Sequence, residues 1–200
     1  MILVAGATGV VGGMIARGLL EQGKEVRVLV RRDSPSSQLV QQGFATSAET
    51  LIETGTQPIH GDLRDRASLE VALEGVETVV TTANSAMRGG TDNPQSVDLD
   101  GNRNLIEASR DAGVEHFVFV SLLGAAPDHP APFMQAKGQS EAPCGRAGWT
   151  TRSLPPRRSW NYGRRWWWAC PPSKVNRLPW SGRDAGATAS SPTATLPRLR

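Results

Sequence analysis

The chain has 200 residues, enough for one domain with an appendage and a proper hydrophobic core. Its net charge of +3 conceals a division, because residues 1–142 hold 11 Lys+Arg against 18 Asp+Glu while residues 143–200 hold 11 against the single acid Asp184. The longest apolar run, 117–126, is too short for the ~20 residues of a membrane span, and no basic region precedes the N-terminal apolar run as a secretory signal requires. The expectation is a cytoplasmic protein with no membrane and no nucleic-acid partner; the oligomeric state is not legible.

In chain order, residues 1–5 form an apolar run that ends at glycines, hence a buried strand. Residues 10–22 carry apolar side chains at helical spacing, and Gly23 stops them. A second strand is predicted over 25–30, a helix over 34–42, and a turn or helix over 45–53. A third strand lies in 57–62, a helix over 66–73, a fourth strand over 76–83 and a long helix over 96–112. A fifth strand spans 116–121 and a last helix 132–142. Alternation of this kind predicts an α/β fold, a Rossmann-type doubly wound parallel sheet with helices on both faces. Near-continuous apolar strands suit a sheet covered on both sides.

The segment GATGVVG (6–12) follows the first strand and opens the first helix. Gly6 permits the sharp turn, Gly9 lets backbone approach a diphosphate, and Gly12 lets helix pack on strand. Free N–H groups and the positive end of the helix dipole complete an anion site. Thr8, Val10 and Val11 belong to the same expected cofactor loop.

An NAD-selective site usually places an acid at the end of the second strand. Here Arg31 and Arg32 stand there. They are either solvated surface arginines or, Arg31 first, partners of the 2′-phosphate of NADP. The expected cofactor is NADP(H), with NAD(H) possible. Asp62, followed by Leu63, either hydrogen-bonds the adenine amino group or caps the next helix. Thr82, Ala83 and Asn84 end the fourth strand, where the cofactor ribose would pass, and Ser121 ends the fifth. His60, His116 and His129 lack metal-ligand spacing, so no metal site is expected.

Five segments then carry a family pattern: GATGVVGG (6–13), VRVLVRR (26–32), GDLRDRASLEVALEGVETVV (61–80), VDLDGNRNLIEASRDAGVEHFVFVSLLGA (97–125) and PFMQAKGQSEA (132–142). Over these the chain resembles the NmrA-like branch of the atypical short-chain dehydrogenase/reductases. The resemblance implies NAD(P)H binding, with quinone- or dye-reducing relatives and others that bind dinucleotide as sensors. It also implies a Tyr-x-x-x-Lys pair with an upstream Ser. Lys137 matches the lysine, which would contact the nicotinamide ribose unless it is merely a surface lysine. Ser121 matches the serine, but Phe133 occupies the tyrosine position and has no proton to give. The expected activity is therefore NADPH-dependent reduction of a small quinone-like or other conjugated substrate. The alternatives are a non-catalytic redox sensor and an inactive truncated fragment.

Beyond Ala142 the pattern stops. All six Trp, both cysteines (Cys144, Cys170) and Tyr162 lie in a Pro/Arg-rich stretch without hydrophobic period. Two readings are open: a genuine basic, aromatic tail suited to nucleic acid or membrane, or an out-of-frame translation. For the second, each codon's third base is read with the next codon's first two. Trp149–Thr150 then becomes Asp, Trp160–Asn161 becomes Glu, and Trp166 to Trp168 with their followers become Val, Val and Gly. That frame reads as a strand and an apolar helix, and it is the preferred account. The expected domains are thus 1–142, truncated after the fifth strand, and an anomalous tail 143–200, largely disordered.

Overall fold

The structure is a computed structural model, which describes residues 1–32, 40, 45–86, 90–146 and 149–154. The helix expected over 34–42, residue 40 apart, and the tail beyond 154 fall outside the described residues. Six strands are present: β1 (Ile2–Ala5), β2 (Val26–Val30), β3 (Gln57–His60), β4 (Thr78–Thr81), β5 (His116–Leu122) and β6 (Thr150–Leu154). They form one all-parallel sheet in the order β3-β2-β1-β4-β5-β6, the doubly wound Rossmann arrangement.

The helices are α1 (Val10–Glu21), α2 (Ala48–Glu53), α3 (Arg66–Ala72), α4 (Asn102–Asp111) and α5 (Pro132–Arg146). Side chains alternate across each strand, and both faces are apolar. Val4, Val26, Val28 and Val30 pack with Ala16 of α1 and Leu51 of α2. Leu3, Ala5, Leu29, Val79, Phe117 and Phe119 pack on the other face with Leu69 of α3 and Leu105 of α4. Period-two alternation between two buried faces is why these strands read as unbroken apolar runs.

Three differences from the sequence reading have physical causes. The sheet does not stop at β5: β6 pairs with it from Val118↔Thr150 to Leu122↔Leu154. An apolar edge strand presents unpaired N–H and C=O groups, and any extended backbone can satisfy them. α5 also runs past position 142, burying Cys144 completely and pushing its thiol up to about 12 by desolvation. The Trp149 N–H then donates to the Cys144 carbonyl at 3.0 Å, and the Trp149 ring stacks on Phe117 at 5.1 Å between centroids.

The third difference is the helix expected over 96–112. Its start is earlier, at an Asn93 cap with Pro94 in the first turn and a reciprocal Asn93/Ser96 capping box. Its first stretch, Pro94–Gly101, is π-helical. The Asn102 amide donates to the Val97 and Asp98 carbonyls, both at 3.1 Å, and Ser140 Oγ donates to the Asp98 carbonyl at 2.8 Å. With the Asp98 carbonyl so occupied, the Asn102 N–H bonds Val97, five residues back.

Gly12 shows how tightly α1 sits on the strand-to-helix turn. A Cβ there would collide with the Gly6 carbonyl and lie 2.7 Å from Thr82 Oγ1. Gly12→Ala is expected to cost about 1–3 kcal/mol or more, because backbone cannot give way as a flexible side chain does. A urea unfolding curve measures this.

Candidate cofactor site

The carboxyl ends of β1 and β4 meet where the strand order reverses, the usual place for a ligand in such sheets. β1 runs straight into the glycine turn. Gly6 takes φ +84°, a left-handed value that favours glycine, and Thr82 Oγ1 donates to its carbonyl at 3.2 Å. Gly9 is different. It caps α1 in extended backbone (φ −81°, ψ 159°), which any residue adopts, and supplies no side-chain cap. Apart from its chain neighbours, a Cβ at Gly9 would meet one described atom within 4 Å, the Gly6 oxygen at 3.3 Å.

The first-turn N–H groups of α1 have no carbonyl one turn back, and they meet the positive helix end. The turn is a cradle that a side chain at Gly9 would fill, and its donors fit an anionic diphosphate. Val10 is exposed at its mouth and Val11 half-buried. Thr8 is buried behind it, its carbonyl accepting from the Thr46 N–H at 2.7 Å.

Arg31 emerges from β2, but it is not free. Its Nη1 lies 3.0 Å from Asp92 Oδ1 and 2.9 Å from Oδ2, and 3.9 Å from Asp62 Oδ2. Arg32 is exposed. Asp62 does not cap α3; Asp65 does, accepting from the Ala67 N–H at 3.2 Å. The spacing placed the cap one turn too early because GDLRD carries two acids. Asp62 instead accepts from Arg64 Nε at 3.0 Å and Nη2 at 2.6 Å. Although partial burial pushes the Asp62 carboxyl up, Arg64 and Arg31 outweigh it and hold the group below the usual range. Leu63 is a core side chain, and its carbonyl accepts from Asn104 Nδ2 at 3.0 Å.

After β4, Thr82 and Ala83 are buried and Asn84 is exposed. Lys137 points beneath this loop. Its Nζ donates to the Ala83 carbonyl at 2.7 Å, lies 3.3 Å from Asp98 Oδ1, and sits 5.0 Å over the Phe119 ring. Lys137 is 3 % exposed and Asp98 0 %. The ammonium is therefore held by the chain's own groups, hydrogen-bonded to the Ala83 carbonyl and ion-paired with Asp98. Ser121 is also buried, its Oγ without a hydrogen-bond partner of ordinary geometry among the described residues. Glu141 stands close to both; burial pushes its carboxyl up, with the Ser121 hydroxyl and the Lys137 ammonium opposing. Phe133 is half-buried.

Asp98, Asn102, Arg64 and Asp92 were not singled out by the sequence. Asp98 also accepts from the Ser85 N–H at 2.9 Å and Oγ at 2.6 Å. Asn102 accepts from Thr81 Oγ1 at 3.0 Å, tying the π-helical segment to the end of β4. Their four-residue spacing, Asp98 and Asn102, was a usable signal for one helix face. Asp92 gave none, since its role depends on a loop crossing the sheet edge. Depressions of about 230 and 500 Å³ flank α5, and neither is lined by the glycine turn. Among the described residues no cluster could hold a metal ion and no helix is long and apolar enough to cross a membrane.

The chain is 35% identical over 140 residues to the photosystem II assembly factor Ycf39 of Cyanophora paradoxa, covering 70% of this chain and 40% of that one. It is 32% identical over 152 residues to an NAD(P)H azoreductase of Xenophilus azovorans, covering 75% and 46% respectively. The chain thus spans less than half the length of these relatives. Among solved structures it resembles the NADPH-dependent quinone oxidoreductase QOR2 of Escherichia coli complexed with NADPH, at 25% identity and TM-score 0.57, over 76% of this chain and 47% of that one. The NmrA-like family model matches residues 1–135, and the chain belongs to the NmrA-like family.

Proposed function

We propose that this chain binds a nicotinamide dinucleotide, NADPH before NADH, and uses it to reduce a small quinone-like or other conjugated acceptor. One observation carries the reading: α1 begins at a glycine in ordinary extended backbone, where a Cβ would press on one described atom, the Gly6 oxygen at 3.3 Å, with uncapped N–H donors beyond it. The reductase names and the bound NADPH among similar proteins support the reaction class. Arg31 at the end of β2 supports the 2′-phosphate preference.

The bound dinucleotide supplies the hydride. The chain's own residues bind and orient. The Gly6–Gly12 turn, with Thr8, Val10 and Val11, holds the diphosphate. Arg31, backed by Arg32, faces the 2′-phosphate, and Asp62 with Leu63 borders the adenine. Thr82, Ala83 and Asn84 floor the ribose. Lys137 and Asp98 act from below, fixing the Ala83 carbonyl so that this floor keeps its height. The acceptor's proton comes from water, because Phe133 has none to give.

A second reading, a non-catalytic dinucleotide sensor, is favoured by a specific observation: Ser121 and Lys137 are both buried and Phe133 replaces the acid. The test is a titration of NADPH and NADH followed by enhancement of their own fluorescence. Saturable micromolar binding is the expected outcome. No binding of either dinucleotide would overturn both readings. With binding established, hydride transfer to a panel of quinones selects the reductase, and silence across the panel selects the sensor.

A further inference from the structure

Asp92 pairs with Arg31, the side chain to which the proposed function assigns the extra phosphate. It lies on the connection between β4 and the π-helical segment, yet its carboxylate meets an arginine that leaves β2. β1 separates those two strands, so the connection crosses about 10 Å of sheet edge at ordinary strand spacing. Asp92 is only 8 % exposed. Its Oδ1 lies 3.0 Å from Arg31 Nη1 and 3.3 Å from Arg64 Nη1. Arg64 Nη1 also donates to Thr91 Oγ1 at 3.2 Å, and Asp62 closes the ring through Arg64 and Arg31. Two guanidinium groups therefore face one carboxylate from the chain itself, and the neighbouring Thr91 hydroxyl holds one of them.

Such a donor set is a phosphate site in its chemistry. Planar guanidinium forks grip a phosphate with two parallel hydrogen bonds. Among the described residues the ring pairs two arginines with two aspartates. A phosphate monoester brings a charge of about −1.5 to −2 and three acceptor oxygens. It cannot share the two arginines with a nearly dry carboxylate at 3 Å without strong repulsion. NADH, with a plain 2′-hydroxyl, leaves the ring untouched.

We propose that Asp92 is a built-in stand-in for the 2′-phosphate: it holds Arg31 and Arg64 in place, competes for them, and thereby sets how strongly NADPH is preferred over NADH. The inference rests on the dinucleotide reading above and adds to it a specificity-determining residue. NADPH binding exchanges one anion for another and releases Asp92. NADH binding keeps Asp92 in its place.

The test uses the full 200-residue chain and the Asp92→Asn variant. The amide keeps the shape and removes the charge. Fluorescence titration is expected to show NADPH binding about tenfold tighter in the variant, with NADH within about twofold of the parent. Adding Arg31→Gln to Asp92→Asn should cancel the gain, since the gain acts through that arginine. A second measurement needs no variant. Hydrogen exchange at the amides of Thr91 to Asn93 in the parent should be faster with NADPH bound than with NADH bound. An unchanged NADPH-to-NADH ratio in Asp92→Asn, or a loss of NADH affinity alone, overturns the inference. Equal protection of Thr91 to Asn93 by the two cofactors does the same. If the parent binds neither dinucleotide, the underlying reading falls with it, an outcome distinct from binding without altered selectivity.

Discussion

Gly9→Val is expected to weaken dinucleotide binding by at least about 100-fold while leaving the fold in place. The two halves of that result come from one geometry. Gly9 has extended backbone angles that valine prefers, so no conformational strain arises. Its Cβ would sit 3.3 Å from the Gly6 oxygen, a contact relieved by a shift of a few tenths of an ångström. The stability cost is therefore expected to be about 1 kcal/mol, the small end of core-crowding effects. Binding is another matter. The isopropyl group would occupy the space in which the first-turn N–H groups meet the diphosphate, and a 100-fold loss corresponds to about 2.7 kcal/mol. Gly12→Ala is the counterpart: it damages the fold first, because its Cβ meets backbone. Urea midpoints and NADPH titration on the same two variants separate the roles. Full-strength NADPH binding by a folded Gly9→Val protein would remove the basis for the functional reading.

The fold was legible where local signals and the sheet agreed. β1, the glycine turn and α1 follow from one apolar run, three glycines and a helical period, all within 21 residues. β5 is plain from His116–Leu122 for the same reason. What the sequence could not show is long-range chemistry. Arg31 reads as a free cation, and only the course of the β4 connection brings Asp92 to it, 61 residues away. Lys137 reads as a ribose ligand through its resemblance, and only the packing of α5 on the π-helical segment shows its ammonium turned inward. The start of that segment was legible in Asn93-Pro94-x-Ser96. Its π geometry was not, since the contact from Ser140 to the Asp98 carbonyl arises only when another helix packs against it. β6 illustrates the opposite case. Thr150–Leu154 lacks the apolar run of a buried strand, but main-chain pairing with β5 asks only for extended backbone. A strand at this point is also what the alternate reading frame expects, with a more apolar sequence.

Lys137→Met is expected to destabilise the protein by about 3–5 kcal/mol, the cost of leaving a buried partner charge uncompensated. That is a large share of the roughly 5–15 kcal/mol that holds a domain together. Asp98 would keep its two bonds to Ser85 but lose the one cation that pairs with it among the described residues, in a fully buried site. The Ala83 carbonyl would lose its shorter bond and keep the one from Asn102 Nδ2 at 3.4 Å. Asp98→Asn should cost a similar amount for the reciprocal reason. The double variant Lys137→Met/Asp98→Asn should recover most of the loss, because neither charge then remains to be buried. A double-mutant cycle from urea midpoints reads the coupling directly.

The pH dependence follows the same logic. Burial pushes the Asp98 carboxyl up, against the pull of Lys137 and Ser85, so the folded state holds that proton more tightly than the unfolded chain. Stability from this group is therefore greatest below 3.8, the ordinary value, and declines as pH rises from there through the raised folded value. Burial likewise pushes Lys137 down from 10.5 despite Asp98, so its contribution is lost as pH falls from 10.5 through the lowered folded value. Both slopes should vanish in the double variant. If its pH–stability curve overlays that of the parent, or if Lys137→Met unfolds at the parental midpoint, the ammonium is not the support beneath the β4 loop, and the ribose floor must be held by something else.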